Sequence, residues 1–172
     1  SDIHSNLEAL TAVLEDAAAQ RVDQYLGLGD VIGYGADPEA CLARLRDCRL
    51  IGVCGNHEWA CLGKLDAGWF NAPARRAILW TRDQLSFSDL DLLRRWPLVA
   101  TEGPVTLAHG TLTHPERFDY LIEIGQAAET LLHCTTRYCA VGHTHTPFLF
   151  EYDTRRHRMT RFLVRGEELA DV

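Results

Sequence analysis

The chain has no apolar run long enough to cross a bilayer, no C-x-x-C pair, no basic cluster built to hold a phosphate backbone, and no repeats, linkers or low-complexity tracts. Each absence closes a class of function. Its longest apolar stretches, such as Leu50-Ile51-Gly52-Val53-Cys54, are far short of a membrane span, and no charged segment leads into an apolar one at the start, so a cytoplasmic location is the default. The six cysteines (Cys41, Cys48, Cys54, Cys61, Cys134, Cys139) fall mostly in expected helices or apolar strands. They read as reduced, buried thiols rather than as a disulfide framework or a zinc ribbon. A formal net charge of -7 argues against a stable nucleic-acid partner. Arg155, Arg156, Arg158 and Arg161 are interleaved with Met159 and Phe162, which reads as the solvated face of a strand. Oligomeric state leaves no trace in the sequence.

What is present suffices for one ordinary core: 172 residues with 47% hydrophobic composition predict a single domain over residues 1–172. No apolar strand precedes the first polar motif, and Gly166 to Val172 shows no evident cap or final strand. The chain therefore reads as a fragment of a longer protein, incomplete at both ends.

Along the chain, apolar strands alternate with amphipathic helices. Leu7, Leu10, Val13, Leu14 and Ala17 recur at helical spacing over Asn6 to Gln20, with Ser5 or Asn6 as the cap. Tyr25 to Leu28 predicts a strand, Asp37-Pro38 opens a helix, and Leu50 to Cys54 is a second strand. Asn71-Ala72-Pro73 starts a helix through Leu85, and Ser88 is expected to cap another through Trp96. Val105 to Ala108 and Tyr138 to Val141 are strands flanking a helix over Gln126 to His133. Pro147 to Tyr152 and Met159 to Val164 form a hairpin around Asp153 to His157. The order predicts an α/β fold.

Five short polar clusters punctuate this order: Asp2-Ile3-His4, Gly29-Asp30, Gly55-Asn56-His57, His109-Gly110 and Gly142-His143-Thr144-His145. All but the first follow an apolar strand, so their side chains should converge at the carboxyl ends of the strands. Singly, each has an ordinary explanation. Asp after Gly is a common turn or cap, Gly-Asn is a common turn pair, and a histidine after an apolar strand can be a satisfied core residue. Jointly they supply aspartate oxygens, imidazoles and one amide carbonyl, donors that suit hard and borderline divalent cations. No thiolate is among them, which argues for hydrolytic rather than structural metal chemistry. Phosphate-ester hydrolysis is the reaction such a set suits best. His114, His133 and His157 belong to no cluster and read as structural or surface residues.

The series D-x-H, G-D, G-N-H, H and G-H-x-H resembles the calcineurin-like metallophosphoesterases, over nearly the whole chain, and in particular a small bacterial and archaeal phosphodiesterase-like branch. That resemblance implies an αββα sandwich with two divalent metal ions at one edge. Asp2, His4, Asp30 and His145 would hold the first ion, and Asn56, His109, His143 and the bridging Asp30 the second. A hydroxide between them would attack phosphorus, and His57 would face the leaving group as a proton donor. Manganese is the first choice of ion, with Fe, Co, Ni or Zn as alternatives. Glu58 is expected to support the ligands or the helix start rather than to react. Tyr34, Trp59 and Tyr120 are expected around the substrate, whereas Trp69, Phe70 and Trp80 are expected in helix packing.

Three functions compete. The first is a phosphodiesterase acting on a small phosphoester. The second is a phosphomonoesterase of the protein phosphatase or diadenosine polyphosphatase type. Those relatives usually carry G-D-x-V-D-R-G, whereas here Asp30 is followed by Val31-Ile32-Gly33-Tyr34-Gly35. The third is a non-catalytic metal-binding scaffold, for which His57 would have no evident use.

Overall fold

A computed structural model describes residues 1–165 and 168–171. It is a mixed α/β fold built as expected from strand and helix alternation. Helix α1 (Leu7–Ala19) is capped by Asn6, whose side chain accepts the Ala9 N–H at 3.0 Å. Strand β1 (Tyr25–Gly27) follows, then α2 (Pro38–Arg46) with Pro at its first turn, and β2 (Leu50–Gly52). Next come α3 (Asn56–Cys61), α4 (Ala72–Gln84) and α5 (Phe87–Arg95). Strands β3 (Val99–Glu102) and β4 (Val105–Ala108) precede α6 (Ile124–His133) and β5 (Tyr138–Val141). The chain continues through β6 (Phe148–Asp153), β7 (Arg158–Arg165) and β8 (Glu168–Asp171).

The strands divide into a parallel pair β1-β2, a mixed sheet β3-β4-β5 and an antiparallel sheet β6-β7-β8. Two parallel pairings position the chemistry. Tyr25 to Gly27 run alongside Leu50 to Gly52, and Val105 to Ala108 alongside Tyr138 to Val141. Parallel strands end on the same side. The segments after β1 and β2 therefore leave together, as do those after β4 and β5. The Cys54 N–H donates to Pro97 O at 2.8 Å, tying the end of β2 to the approach to β3. On the helical side Ile32, Leu42, Ile78 and Leu93 are fully buried in one apolar cluster with Leu10 and Leu45. Burial of each such side chain stabilises by about 1.5–3 kcal/mol, and this cluster anchors the helices behind the strand ends.

Several expectations need correction. Ser86, not Ser88, caps α5: its hydroxyl accepts the Asp89 N–H at 3.2 Å while the Asp89 carboxylate accepts the Ser86 N–H at 3.0 Å. This reciprocal pair begins the helix two residues earlier than a lone serine cap would. Helix α3 and strand β3 are additional elements. The first is too short for a helical period to show, and the second pairs with β4 through a turn with Gly103 at φ +52°. At the C-terminal end a further strand, β8, pairs with β7 where none was expected. Gly166, Glu167 and Val172, part of the segment expected to lack a cap or final strand, lie outside the described residues. Among the described residues the cysteines are free, and no helix is long and apolar enough to cross a membrane.

Candidate metal centre

The N-terminal segment reaches the site without being a strand. Asp2 N–H donates to Gly29 O at 3.1 Å, His4 N–H to Asp30 O at 3.0 Å, and Ser5 N–H to Val31 O at 2.8 Å. Three consecutive acceptors thus hold residues 2–5 along the loop that carries Asp30. From the far end of the chain the His143 N–H donates to both carboxylate oxygens of Asp2, at 3.1 and 3.2 Å.

All seven expected ligands and His57 meet here. The ligand atoms of Asp2, His4 and His145 lie within 4.8 Å of one another, as do those of Asp30, His109 and His143 and those of His4, Asp30 and His57. Asp30 connects the groups: its Oδ2 is 3.2 Å from His109 Nε2 and 3.8 Å from His4 Nε2, while its Oδ1 accepts the His57 N–H at 3.0 Å. His145 Nε2 lies 3.1 Å from His4 Nε2 and 3.4 Å from Asp2 Oδ1. His109 Nε2 is 3.0 Å from Asn56 Oδ1 and 3.1 Å from His143 Nδ1.

Hydrogen bonds behind the rings set their tautomers. His4 Nδ1 faces Ile32 O at 3.2 Å and His109 Nδ1 faces Leu28 O at 2.6 Å, so each Nδ1–H donates to a carbonyl and each Nε2 lone pair turns inward. Two imidazole lone pairs, the carboxylates of Asp2 and Asp30 and the Asn56 carbonyl therefore converge. Such a set demands positive charge, and divalent cations fit it. The protein alone meets part of that demand with a proton. Burial works against charge on His109, but the adjoining Asp30 carboxylate overrides it and raises the His109 pKa to about 9. Burial likewise disfavours charge on Asp30, yet His109 and the other imidazoles hold its pKa well below the carboxylate range. Burial lowers His143 and His57 to about 4, and it lowers His4 as well.

Backbone strain is concentrated at these positions. Asp2, His4, Asp30, His143 and His145 adopt φ of 53°, 50°, 52°, 71° and 53°, in the left-handed region that side chains rarely occupy. Each such residue costs on the order of 1 kcal/mol, and it persists only where its surroundings enforce it. At Gly33, with φ +87°, a Cβ would collide with the His57 ring, so glycine is what lets the loop close over that imidazole.

Glu58 supplies the enforcement for Asp30. It is fully buried, and its Oε2 accepts the N–H groups of Gly55 at 2.7 Å and Asp30 at 2.9 Å. Its Oε1 accepts those of Val31 at 2.8 Å and Ile32 at 3.2 Å. Burial and the neighbouring Asp30 charge press its pKa up to about 7, while the backbone N–H donors favour the anion. Glu58→Gln turns an amide NH2 toward backbone donors. It is expected to cost about 3 kcal/mol of stability in denaturant titrations and to weaken metal binding roughly 10- to 100-fold. An unchanged denaturation midpoint would refute this account.

The centre floors a cleft of about 690 Å³. Tyr34 and Tyr120 line it as expected, Tyr120 stacking on His143 with ring centroids 4.0 Å apart and planes 8° from parallel. Trp59 does not line it. Two residues beyond His57 on α3, it packs edge-on at 5.5 Å against Phe118, which itself lines the cleft. Trp69 also departs from expectation: it is 85% exposed on a 3-10 turn (Ala67–Trp69) at the cleft rim, while Phe70 beside it packs against His57 at 5.3 Å. Trp80, at 44% exposure, is only partly packed. Sequence reasoning missed Arg117 and Asp119, which line the cleft and pair at 3.2 Å. They follow the His109-Gly110 motif by only a few residues, but no ligand pattern or apolar period marks them. His114, His133 and His157 are exposed and belong to none of these ligand groups.

The chain matches the calcineurin-like phosphoesterase superfamily domain over residues 1–168 and belongs to that superfamily. It is 36% identical over 158 residues to an uncharacterized protein of Methanocaldococcus jannaschii, covering 87% of this chain and 62% of that protein. The chain thus spans about three fifths of that relative's length. The fold is similar to a crystal structure of a metallophosphoesterase from Sphaerobacter thermophilus, with TM-score 0.80, 37% identity, and coverage of 97% of this chain and 67% of the other. It also matches a hypothetical protein from Pyrococcus horikoshii, with TM-score 0.66, 14% identity, and coverage of 95% and 85%; at that identity the likeness is one of fold.

Proposed function

We propose that this domain is the catalytic part of a metal-dependent phosphodiesterase acting on a small phosphoester. Asp2, His4, Asp30 and His145 would hold one divalent cation and Asn56, His109, His143 and Asp30 a second, with manganese the first choice among Mn, Fe, Co, Ni and Zn. Cations bound there would neutralise phosphoryl charge and make water nucleophilic at neutral pH. The protein's own groups orient and donate. Glu58 fixes the Asp30 loop, the carbonyls of Ile32 and Leu28 fix the rings of His4 and His109, and His57 stands beside the centre to donate a hydrogen bond to the leaving oxygen.

The preference for diesters rests on one observation, the poverty of cationic side chains around the cleft. After Asp30 come Val31 and Ile32, both buried in the apolar core, and then Tyr34 at the cleft, so no guanidinium reaches the substrate from this loop. Arg117, the one Lys or Arg among the described lining residues, is paired with Asp119. A monoester dianion favours a fork of N–H donors, whereas a diester carries a single charge and needs fewer. The test compares bis-p-nitrophenyl phosphate with p-nitrophenyl phosphate on the full-length protein loaded with Mn²⁺ against a chelated control. Faster metal-dependent cleavage of the diester is expected. Preference for the monoester would replace this reading with that of a phosphomonoesterase.

A further inference from the structure

The cleft has an aromatic rim that the metal centre does not use. Trp69 is 85% exposed and Tyr34 and Tyr120 are each 50% exposed, although all three line the cavity over the candidate ligands. Large apolar rings left open to water beside a polar centre lose hydration free energy that a flat partner would recover. The backbone that carries them is fixed. The Asp66 carboxylate caps the turn that carries Trp69 by accepting the Gly68 N–H at 2.8 Å, and the Trp69 N–H donates to Asp66 O at 3.1 Å. Tyr34 is held at φ +59°, with its ring 4.8 Å from those of both His4 and His57. The ring of Tyr120 is spoken for on one face by His143.

Polar groups suited to the edge of a ring lie alongside. Asn71, next to Phe70, spends its carbonyl oxygen on the Ala74 N–H at 2.9 Å, which leaves its NH2 beside the Tyr34 hydroxyl at the cleft. Flat exposed rings with donors and acceptors beside them match a heteroaromatic base better than an aliphatic headgroup.

Resting on the phosphodiesterase reading, we propose that Trp69 and Tyr34 form a stacking shelf for a nucleobase and that the substrate is a nucleobase-bearing phosphodiester. Trp69 determines specificity and touches no reacting atom. Its deletion should therefore move KM for base-bearing substrates and spare the chemical step.

The experiment compares the dinucleoside phosphate TpT with glycerophosphoethanolamine, which also has alkoxide leaving groups but no ring, on the Mn²⁺-loaded full-length protein followed by phosphorus NMR. Trp69→Ala is expected to raise KM for TpT roughly tenfold while kcat moves much less, and Trp69→Phe to restore most of the loss. KM for glycerophosphoethanolamine should shift far less. Calorimetric binding of thymidine 5′-monophosphate against methyl phosphate supplies an arm without turnover, and the nucleotide should bind roughly tenfold tighter to wild type than to Trp69→Ala. Selective nucleotide binding without cleavage of either diester would refute the hydrolase reading and leave the shelf standing. Cleavage of both diesters with equal KM shifts, or nucleotide binding indifferent to Trp69, would overturn the shelf and leave the hydrolase reading intact.

Discussion

His57→Ala should lower turnover of TpT, a diester with an alkoxide leaving group, by about 100-fold or more while leaving the bound metal nearly unchanged. The separation follows from which part of His57 does what. Its backbone N–H donates to Asp30 Oδ1, and alanine keeps that donor, so the carboxylate stays oriented. Its ring is 2% exposed, wedged among Tyr34, Phe70 and His4, and its Nδ1 has no hydrogen-bond partner among the described residues. Gly33 closes over that nitrogen, so Nε2 is the ring nitrogen left to face the cleft and a substrate oxygen. Burial lowers its pKa to about 4, so at neutral pH the imidazole is uncharged in the resting protein. In that state one ring N–H can be offered to a developing oxyanion without placing a fixed charge beside two cations. Turnover by phosphorus NMR and metal content by plasma mass spectrometry are the two readings. Parallel loss of both would mean that the ring is a ligand, and the role assigned here would fall.

Much of this architecture is legible in the sequence because the signals are local. The strand ends after β1, β2, β4 and β5 are marked by apolar runs stopping at Gly, Asn or His, and the parallel pairing of those strands then brings Asp30, Asn56, His109 and His143 to one place. Asn71 is read correctly as a cap, and Asn6 as one of two candidates with Ser5, because a cap is decided within one turn of helix. What stayed hidden depends on contacts distant in sequence. Glu58 is visible as a helix-start residue, but its reach to the backbone of residues 30–32 exists only once β1 and β2 lie side by side. Arg117 and Asp119 come to the rim through a turn that has no periodicity of its own. Trp69 illustrates a third limit: composition predicts burial for tryptophan, yet on the turn capped by Asp66 the indole stands in water.

Asp30→Asn should abolish the metal-dependent thermal shift and weaken metal affinity at least about 100-fold, while the chelated protein remains as stable as wild type or becomes more so. An asparagine Oδ1 can still accept the His57 N–H, so the loop keeps its anchor. The new NH2 would face His109 Nε2, now 3.2 Å from a carboxylate oxygen, and donate to its lone pair without the proton that His109 otherwise has to bind. In the native cluster the Asp30–His109 pair meets only part of the demand for positive charge, and the remaining carboxylate and imidazole lone pairs repel until more arrives. The left-handed backbone at Asp2, His4, Asp30, His143 and His145 adds further strain. A site of this kind holds a cation well because it is poorly satisfied without one. Removing a single shared charge should therefore relax the resting fold and discard the function together, a divergence that thermal melts with and without Mn²⁺ can measure. If Asp30→Asn retained the metal-induced shift, Asp30 could not be the carboxylate common to both ions. If it lost stability in chelator, the convergence of lone pairs described here would not be what governs the metal-free protein.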